Sequence, residues 1–516
     1  MKVIPPITIS NTEGSFTRST AATYFDKYGA MQTAAVNTPR VTFNPVTLAC
    51  QGVLYEPART NVVVNSDSPG TQNITVTNTA YTLSFYGTGT IALSGTYTGS
   101  LTGTGVFPNR VVLTFTPSAG TLTLTVTGTV QYVQLEAGAF VTSYISSIQG
   151  TRAADTFTGV SPCVVYSNVT NAGNLASQTA WVSGSAYASG AKVYRATTNC
   201  VYQCIKDVIV SSTNSTILPE ASILLDIPYW VRLDALPWVS GTTYTYSAAS
   251  PVQVTYNNRT YEIIATTTVN TTLPTSTSPT YWFDVGPSNR WGAFDYLRNS
   301  TSKVRDQMII SVATGSRVDS AVLVGLTEVG NAVVTVYSPS TGTTIYNTGR
   351  NLTTKSSTTW YDYFFTSSGT IKSAVFSNLP PYTDAIVSIV LTGANVGCGG
   401  LILGRAQWLG SLQRGATSEI INFSTVTRDI FGNATMVQRR NIPKTNQTLY
   451  LDKSYINAVR LVRDQLNATP AAWVGLDDIP DQTYFETLLI VGFYRTFTIN
   501  IDNPIGVIVN LELEEI

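Results

Sequence analysis

Val111-Val112-Leu113-Thr114-Phe115, Thr116-Pro117-Ser118-Ala119-Gly120 and Thr121-Leu122-Thr123-Leu124-Thr125-Val126 follow one another, and their alternation decides the fold class. In the first and third runs every second residue is apolar, so an extended chain there has one apolar face and one hydroxylated face. That is the pattern of a half-buried β-strand. Pro117 and Gly120 supply turn chemistry between the runs, which predicts a hairpin.

Strand signals recur at Ile309 to Val312, Val333 to Tyr337, Ala385 to Leu391, Leu488 to Val491 and Val507 to Leu513, with turn residues between them. The reading is a mainly all-β chain with several β-sandwich or jelly-roll-like domains. One segment departs from it. Tyr455, Val459, Val462 and Leu466 recur at helical steps behind an Asp452 or Ser454 cap, with Pro470 beyond, so a helix of about four turns is expected in a mixed α+β C-terminal module.

The 516 residues are 43% hydrophobic but only 12% charged, enough apolar matter for several cores. Boundaries are placed near 155, 286 and 405, giving an N-terminal β-sandwich (1–155), tandem small β modules (156–286), a second sandwich (287–405) and the α+β module (406–516). Thirty basic residues balance thirty acidic ones, which offers no general attraction for nucleic acid or an anionic membrane. Histidine is absent, which excludes Ser-His-Asp, Cys-His and His-ligated metal chemistry. Cys50, Cys163, Cys200, Cys204 and Cys398 are an odd number scattered over long distances, which fits neither a disulfide framework nor a zinc ribbon, and are read as reduced thiols; no metal or cofactor is expected. Met1 to Ser10 lacks the basic and apolar segments of a secretion signal, and no apolar run is long enough to span a membrane.

An internal repeat lies between the first two boundaries. Trp181-Val182-Ser183-Gly184 returns as Trp238-Val239-Ser240-Gly241; Tyr187 is echoed by Tyr244, Tyr202 by Tyr261, Pro219 by Pro274, and Tyr229-Trp230 by Tyr281-Trp282. Flat rings are the usual platforms for the apolar face of a sugar, so Trp181, Tyr187, Tyr202, Tyr229, Trp230, Trp238, Tyr244, Tyr261, Tyr281 and Trp282 are the candidate carbohydrate-binding residues. The same rings could instead fill the cores of two modules of about 55 residues each, which have little else to bury. Trp181, Tyr187, Trp238 and Tyr244 are read first as core, and Tyr229, Trp230, Tyr281 and Trp282 are left open between the two roles.

The run from Gly14-Ser15-Phe16-Thr17-Arg18 to Tyr24-Phe25-Asp26, the run Gly52-Val53-Leu54-Tyr55-Glu56-Pro57-Ala58-Arg59-Thr60-Asn61 and the run Gln134-Leu135-Glu136-Ala137-Gly138-Ala139-Phe140-Val141-Thr142-Ser143-Tyr144-Ile145 resemble tailed-bacteriophage and prophage tail proteins with carbohydrate-binding modules. The two Trp-Val-Ser-Gly copies resemble chitin-binding modules of families five and twelve. Copy one keeps that pattern as Trp181, Tyr187, Gly190, Val193 and Tyr202; copy two has Ser247-Ala248-Ala249 where a glycine is expected. Phe283-Asp284-Val285-Gly286-Pro287-Ser288-Asn289-Arg290-Trp291-Gly292-Ala293-Phe294-Asp295 and Trp360-Tyr361-Asp362-Tyr363-Phe364 resemble the same family, there leading a galactose-binding-like sandwich, and Gly432-Asn433 through Gly492-Phe493-Tyr494 is similar to its C-terminal ends.

The resemblance implies a structural virion protein of the tail region (fibre, collar or baseplate) that supports host adsorption, made in the bacterial cytoplasm and released by lysis. Its implied partners are other tail proteins, further copies of itself and a host surface glycan, with no nucleic acid and no membrane insertion. The competing reading is a tailspike-like polysaccharide depolymerase using paired carboxylates; sandwich-length strands without a short repeat favour the non-enzymatic one. A free secreted adhesin is disfavoured by the missing export signal. Arg18, Arg59 and Arg152 are expected to pair with Asp26, Glu56 and Asp155, and Glu56 and Glu136 give no sign of a paired acid and base.

Overall fold

The structure is a computed structural model that describes residues 1–170, 178–209, 215–222, 229–265, 273–274, 281–297, 300–353, 359–360, 371–428, 430–439, 441–476, 486–501 and 506–516. Strands dominate it. The longest helix among the described residues is Ile456–Gln465, entered through a 3₁₀ turn at Lys453–Tyr455.

At the centre is an antiparallel sheet ordered Cys163–Ser167, Ser302–Ala313, Ile386–Cys398, Thr327–Ser338 and Thr343–Asn351. Its three middle strands contain continuous apolar runs because both of their faces are covered. Ile310, Val312, Val334, Val336, Ile389 and Leu391 point to one side, into a core shared with the sheet of Ala374–Phe376, Ser320–Val324 and Gly400–Gly404. Ile309, Ala313, Val333, Tyr337, Ile386 and Val390 point to the other, against Phe16, Val41, Val53 and Tyr55 of the N-terminal hairpins. Cys163–Ser167, on the module side of the boundary drawn near 155, is an edge strand of this central sheet. The tandem modules are therefore an insertion between two paired strands of one sandwich. Tyr361–Phe364 of the second family-like motif lie outside the described residues.

Beyond the three-stranded sheet lies a third layer, ordered Gln407–Trp408, Lys2–Ile4, Ala471–Val474, Leu489–Asn500, Gly506–Glu515, Asn441–Asp452 and Ser411–Leu412, with Thr417–Asn422 also paired to Asn441–Asp452. Alternation assigns its faces. Ile4, Ala472, Val474 and Val491 meet Val322, Val375 and Ile402 of the sandwich, while Val3, Ala471, Trp473 and Ile490 meet Val459, Val462 and Leu466 of the helix side. The Asp452 carboxylate provides the cap, accepting from the Ser454 N–H at 2.8 Å and its hydroxyl at 2.6 Å. Tyr455 stays outside the buried stripe, edge-on to Trp408 at 5.3 Å. Lys2–Ile4 thus belongs to the C-terminal sheet and not to the N-terminal sandwich.

The N-terminal sandwich packs Gly99–Thr102, Thr90–Gly95, Gly120–Thr127 and Gln72–Val76 against Gly105–Phe115, Tyr81–Gly87 and Val130–Ala137. The predicted hairpin at Pro117–Gly120 is corrected to an arch: Gly105–Phe115 pairs with Tyr81–Gly87, whereas Gly120–Thr127 pairs with strands of the facing sheet. Phe115, Leu122 and Leu124 still meet in one core, because alternation fixes which face is buried but is the same for a hairpin and an arch.

Beside this sandwich a buried ionic network holds the N-terminal segments together. Arg40 donates to Glu56 at 2.8 Å and to Asp155 at 2.9 Å, Arg18 pairs with Asp155 at 3.2 Å, and Arg152 pairs with Glu56 at 3.0 Å. Several other donors reach backbone carbonyls, Arg18 those of Thr20, Ala35 and Thr38, and Arg152 that of Pro57, while Nε of Arg40 and of Arg152 is buried without a hydrogen-bond partner among the described residues. The expected partners are corrected accordingly: Arg18 takes Asp155 and not Asp26, Arg152 takes Glu56, and Arg59 lies 3.7 Å from Glu136. Asp26 instead closes a local turn through the Tyr28 and Ala30 N–H groups.

Burial pushes the Glu56 carboxyl up, but Arg152 and Arg40, with the Ser143 hydroxyl and N–H, outweigh it and bring it down to about 2. A carboxylate depressed in the folded state contributes stability that is present above its unfolded pKa, about 4.3, and is lost as the pH falls toward 2. Glu56→Gln is expected to cost about 3–5 kcal/mol at neutral pH, because it strands Arg40 and Arg152. In chemical denaturation followed from pH 6 to pH 2, the variant should also lose part of the acid sensitivity of the parent.

Candidate carbohydrate-binding surface of the tandem modules

Each copy of the repeat is a three-stranded antiparallel sheet: Lys192–Arg195, Cys200–Cys204 and Trp230–Ala235 in the first, Gln253–Tyr256, Arg259–Ile263 and Trp282–Pro287 in the second. The equivalence extends to single bonds. The Trp181 N–H donates to the Tyr194 carbonyl at 3.0 Å, as Trp238 does to Thr255 at 2.9 Å. The Tyr187 hydroxyl accepts from the Val182 N–H at 2.7 Å, as Tyr244 does from Val239 at 3.0 Å. Tyr187 sits edge-on to Trp230 at 5.1 Å, and Tyr244 to Trp282 at 5.4 Å. Gly184 and Gly241 share a φ of +80°, which explains why both copies have glycine at this position.

The structure divides the ten candidate rings. Tyr202, Trp230, Tyr244, Tyr261 and Trp282 are buried in two separate cores, Trp230 and Trp282 at 1% exposure, and have no face to offer a sugar. The cause is size, since so small a module must spend its largest side chains inward. Trp181, Tyr187, Tyr229, Trp238 and Tyr281 are half-buried around those cores. The Arg195 guanidinium lies 4.9 Å over the Trp181 ring and is forked onto Glu220. At the equivalent position of copy two, Tyr256 meets Trp238 edge-on at 6.0 Å. Both indoles therefore have a neighbour on the ring from the same position of the fold.

The residue that the repeat did not reveal is Phe283. Trp282 points inward, so the next residue on the strand points outward, and Phe283 is 61% exposed. It stands opposite Glu262, which stands opposite Gln253, in a line across three strands on one face. Glu262 accepts from the Gln253 amide at 2.9 Å, and the Gln253 carbonyl oxygen accepts from Arg232 of the first module. The exposed ring can cover a pyranose face, and the Glu262 carboxylate and the exposed Arg232 can bond its hydroxyls, while the buried Gln253 amide is committed to linking the two. Strand alternation through Tyr281-Trp282-Phe283 was the available signal. Copy one carries Val231 at the matching position, so it has no second ring there.

The modules are held at their base. Arg290, buried, donates to the carbonyls of Ser167 at 2.8 Å and Val169 at 3.0 Å and pairs with Glu13, tying together the two ends of the insertion. Trp291 enters the sandwich core. The Asn289 side chain exchanges two bonds with the Lys303 backbone, and its N–H donates to Asp234 at 3.2 Å. Burial pushes the Asp234 carboxyl up to about 6, against the Ala235 and Asn289 N–H groups and Arg232. The Asn258 amide reaches the Asn11 carbonyl at 2.9 Å.

Cys200 and Cys204 lie four apart on one strand, about 13 Å in an extended chain, too far for a shared bond or metal. No cluster of metal-ligating side chains occurs among the described residues. A cleft of about 590 Å³ opens between the N-terminal hairpins and the central sheet, lined by Tyr24, Asp26, Phe43, Cys50, Asp306 and Gln307 among others. Of the carboxylates in the N-terminal segments only Asp26 lines it; Glu56 and Asp155 are occupied by arginines, and Glu136 by Gln134 and Thr142.

No family model matches the chain, and no curated protein matches it. Among solved structures, the GH78 family rhamnosidase of Bacillus sp. GL1 aligns with TM-score 0.19 and 9% identity over 81% of this chain and 36% of that one. The chain thus spans about a third of that enzyme's length, and a likeness at this level carries no argument for fold or activity.

The two adjacent aromatics make separable predictions. Trp282→Ala should destabilise the protein by about 3–5 kcal/mol through the cavity it leaves. Phe283→Ala should change stability by less than about 0.5 kcal/mol while reducing retention on chitin beads. Denaturation and retardation on the beads, measured on both variants, check this.

Proposed function

We propose that the chain is a structural component of a bacteriophage virion at the tail, in a fibre, collar or baseplate, and that it supports host adsorption through weak multivalent contacts with cell-surface glycan. The observation that carries the glycan part is the exposed Phe283 ring with the half-buried Glu262 carboxylate beside it, held on a module whose base is fixed by Arg290. The tail part is supported by the family resemblance of the N-terminal and Asn289-Arg290-Trp291-Gly292 motifs. Those motifs supply the frame, as the ionic network beside the N-terminal sandwich and the clamp at the base of the modules.

The magnitudes fit adhesion by number. Covering about 100 Å² of apolar surface gives about 2.5 kcal/mol before ordering costs, so one site binds in the millimolar range or weaker. Several copies on one particle convert such contacts into useful avidity.

Mass spectrometry and immunogold labelling of purified particles are expected to find the chain at the tail; its absence from the virion would refute the placement. Particles carrying Phe283→Ala should adsorb to host cells more slowly than the parent at unchanged particle yield. Unchanged adsorption would remove the glycan part and leave the structural part standing.

A further inference from the structure

On the strand Val130–Ala137, Leu135 faces the sandwich core, so its neighbours Gln134 and Glu136 face the other way. Both are fully buried there, and Thr142, on the segment that follows the strand, is 3% exposed beside them. The Thr142 hydroxyl donates to Glu136 Oε2 at 2.6 Å, and the Thr142 N–H donates to Glu136 Oε1 at 2.7 Å. The Gln134 amide nitrogen donates to Glu136 Oε1 at 2.8 Å and to the Thr142 hydroxyl oxygen at 3.2 Å, while the Gln134 carbonyl oxygen accepts from the Ile145 N–H at 2.6 Å. These partners fix which way the amide points, because a carboxylate only accepts and a backbone N–H only donates. Arg152 adds a guanidinium N–H at 3.2 Å from the same hydroxyl oxygen.

A hydroxyl, a carboxylate that can take its proton and a carbonyl polarised by a backbone N–H are the parts of an acyl transfer. In an enzyme the acyl group belongs to a substrate; here it is a side-chain amide of the same chain. We infer that Thr142 and Gln134 form an intramolecular ester, with Glu136 as the catalytic base. The Thr142 oxygen attacks the side-chain carbonyl carbon of Gln134 while Glu136 takes the hydroxyl proton. Negative charge then collects on the Gln134 oxygen, where the Ile145 N–H holds it. The C–N bond breaks, and Glu136, already in contact with that nitrogen, hands the proton to it. One ammonia leaves and one ester bond remains, with no oxidant, water or cofactor consumed. Thr142 also lines a cavity of about 200 Å³ with Arg110, Ser143 and Tyr144, which gives the ammonia a way out, and its dilution draws the exchange forward. Burial shields the product from hydrolysis. The ester pins to its strand the segment whose Ser143 bonds Glu56, and the inference is independent of the virion and glycan readings.

Mass spectrometry of a tryptic digest of the full chain tests it. Val111 to Arg152 is released as one peptide, which holds Gln134 and Thr142 but no asparagine, so succinimide formation there cannot imitate the loss of ammonia. The peptide is expected to be about 17 Da lighter than its sequence, to give no fragments from cleavage between Gln134 and Thr142, and to gain about 33 Da with hydroxylamine, which converts an ester to a hydroxamate. Thr142→Val and Glu136→Gln should leave it at full mass, whereas Thr142→Ser, which keeps the hydroxyl, should keep the loss. A parental peptide at full mass would overturn the proposal and leave the three side chains as a hydrogen-bonded core network. A loss that survives Thr142→Val would overturn the assignment of the nucleophile.

Discussion

The burial of the central sheet on both faces is the constraint from which the remaining architecture follows. Adjacent residues of its middle strands, Ile309 and Ile310 or Val333 and Val334, serve opposite cores. Neither face can be left to water, so the N-terminal hairpins and the three-stranded sheet are both required parts of one body. The three-stranded sheet passes the same demand outward through Val322, Val375 and Ile402, which the C-terminal sheet meets. The result is a stack in which removing any layer bares the next. The modules escape this dependence. They hang between two strands that are already paired, where added chain costs little in loop entropy and each copy encloses its own small core.

The polar interior follows a different logic. Three arginines beneath the N-terminal sandwich look, as a composition, like an anion site or a catalytic cluster. Their geometry leaves little for a ligand, since Glu56 and Asp155 take the charge-bearing donors and backbone carbonyls take several others. Such a network is a weak source of net stability, because desolvation offsets attraction, but each missing member leaves a charge stranded. It ties Arg18, Arg40, Glu56 and the Arg152 to Asp155 segment, which are distant from one another in sequence, to a single arrangement.

How much could be read beforehand depended on whether the information was local. The all-β class, the helix from Ile456 and the duplication at Trp181 and Trp238 were legible, because period and spacing are properties of a short window. The arch at Pro117–Gly120 was not, because pairing partners are chosen by tertiary contacts that alternation does not encode. The arginine partners were missed for the same reason: charge complementarity names the kinds of residue involved but not which carboxylate lies within reach. Among the candidate rings, repetition pointed to the residues both copies share, and shared residues in so small a unit are mostly those of its core. Phe283, present in one copy only, was therefore passed over, although the step from Trp282 to its neighbour on a strand was enough to place it outward.

Lys2–Ile4 lies between Gln407–Trp408 and Ala471–Val474, so this strand is held on both sides by segments that are made far later in the chain. The nascent chain can close its arches and its small modules as they emerge, but this seam has to wait. Until then Val3 and Ile4 and the outer face of the three-stranded sheet remain uncovered. Synthesis through Val474 therefore acts as a checkpoint: a ribosome that stops before it releases a product with an unsealed apolar side, open to chaperones and proteases.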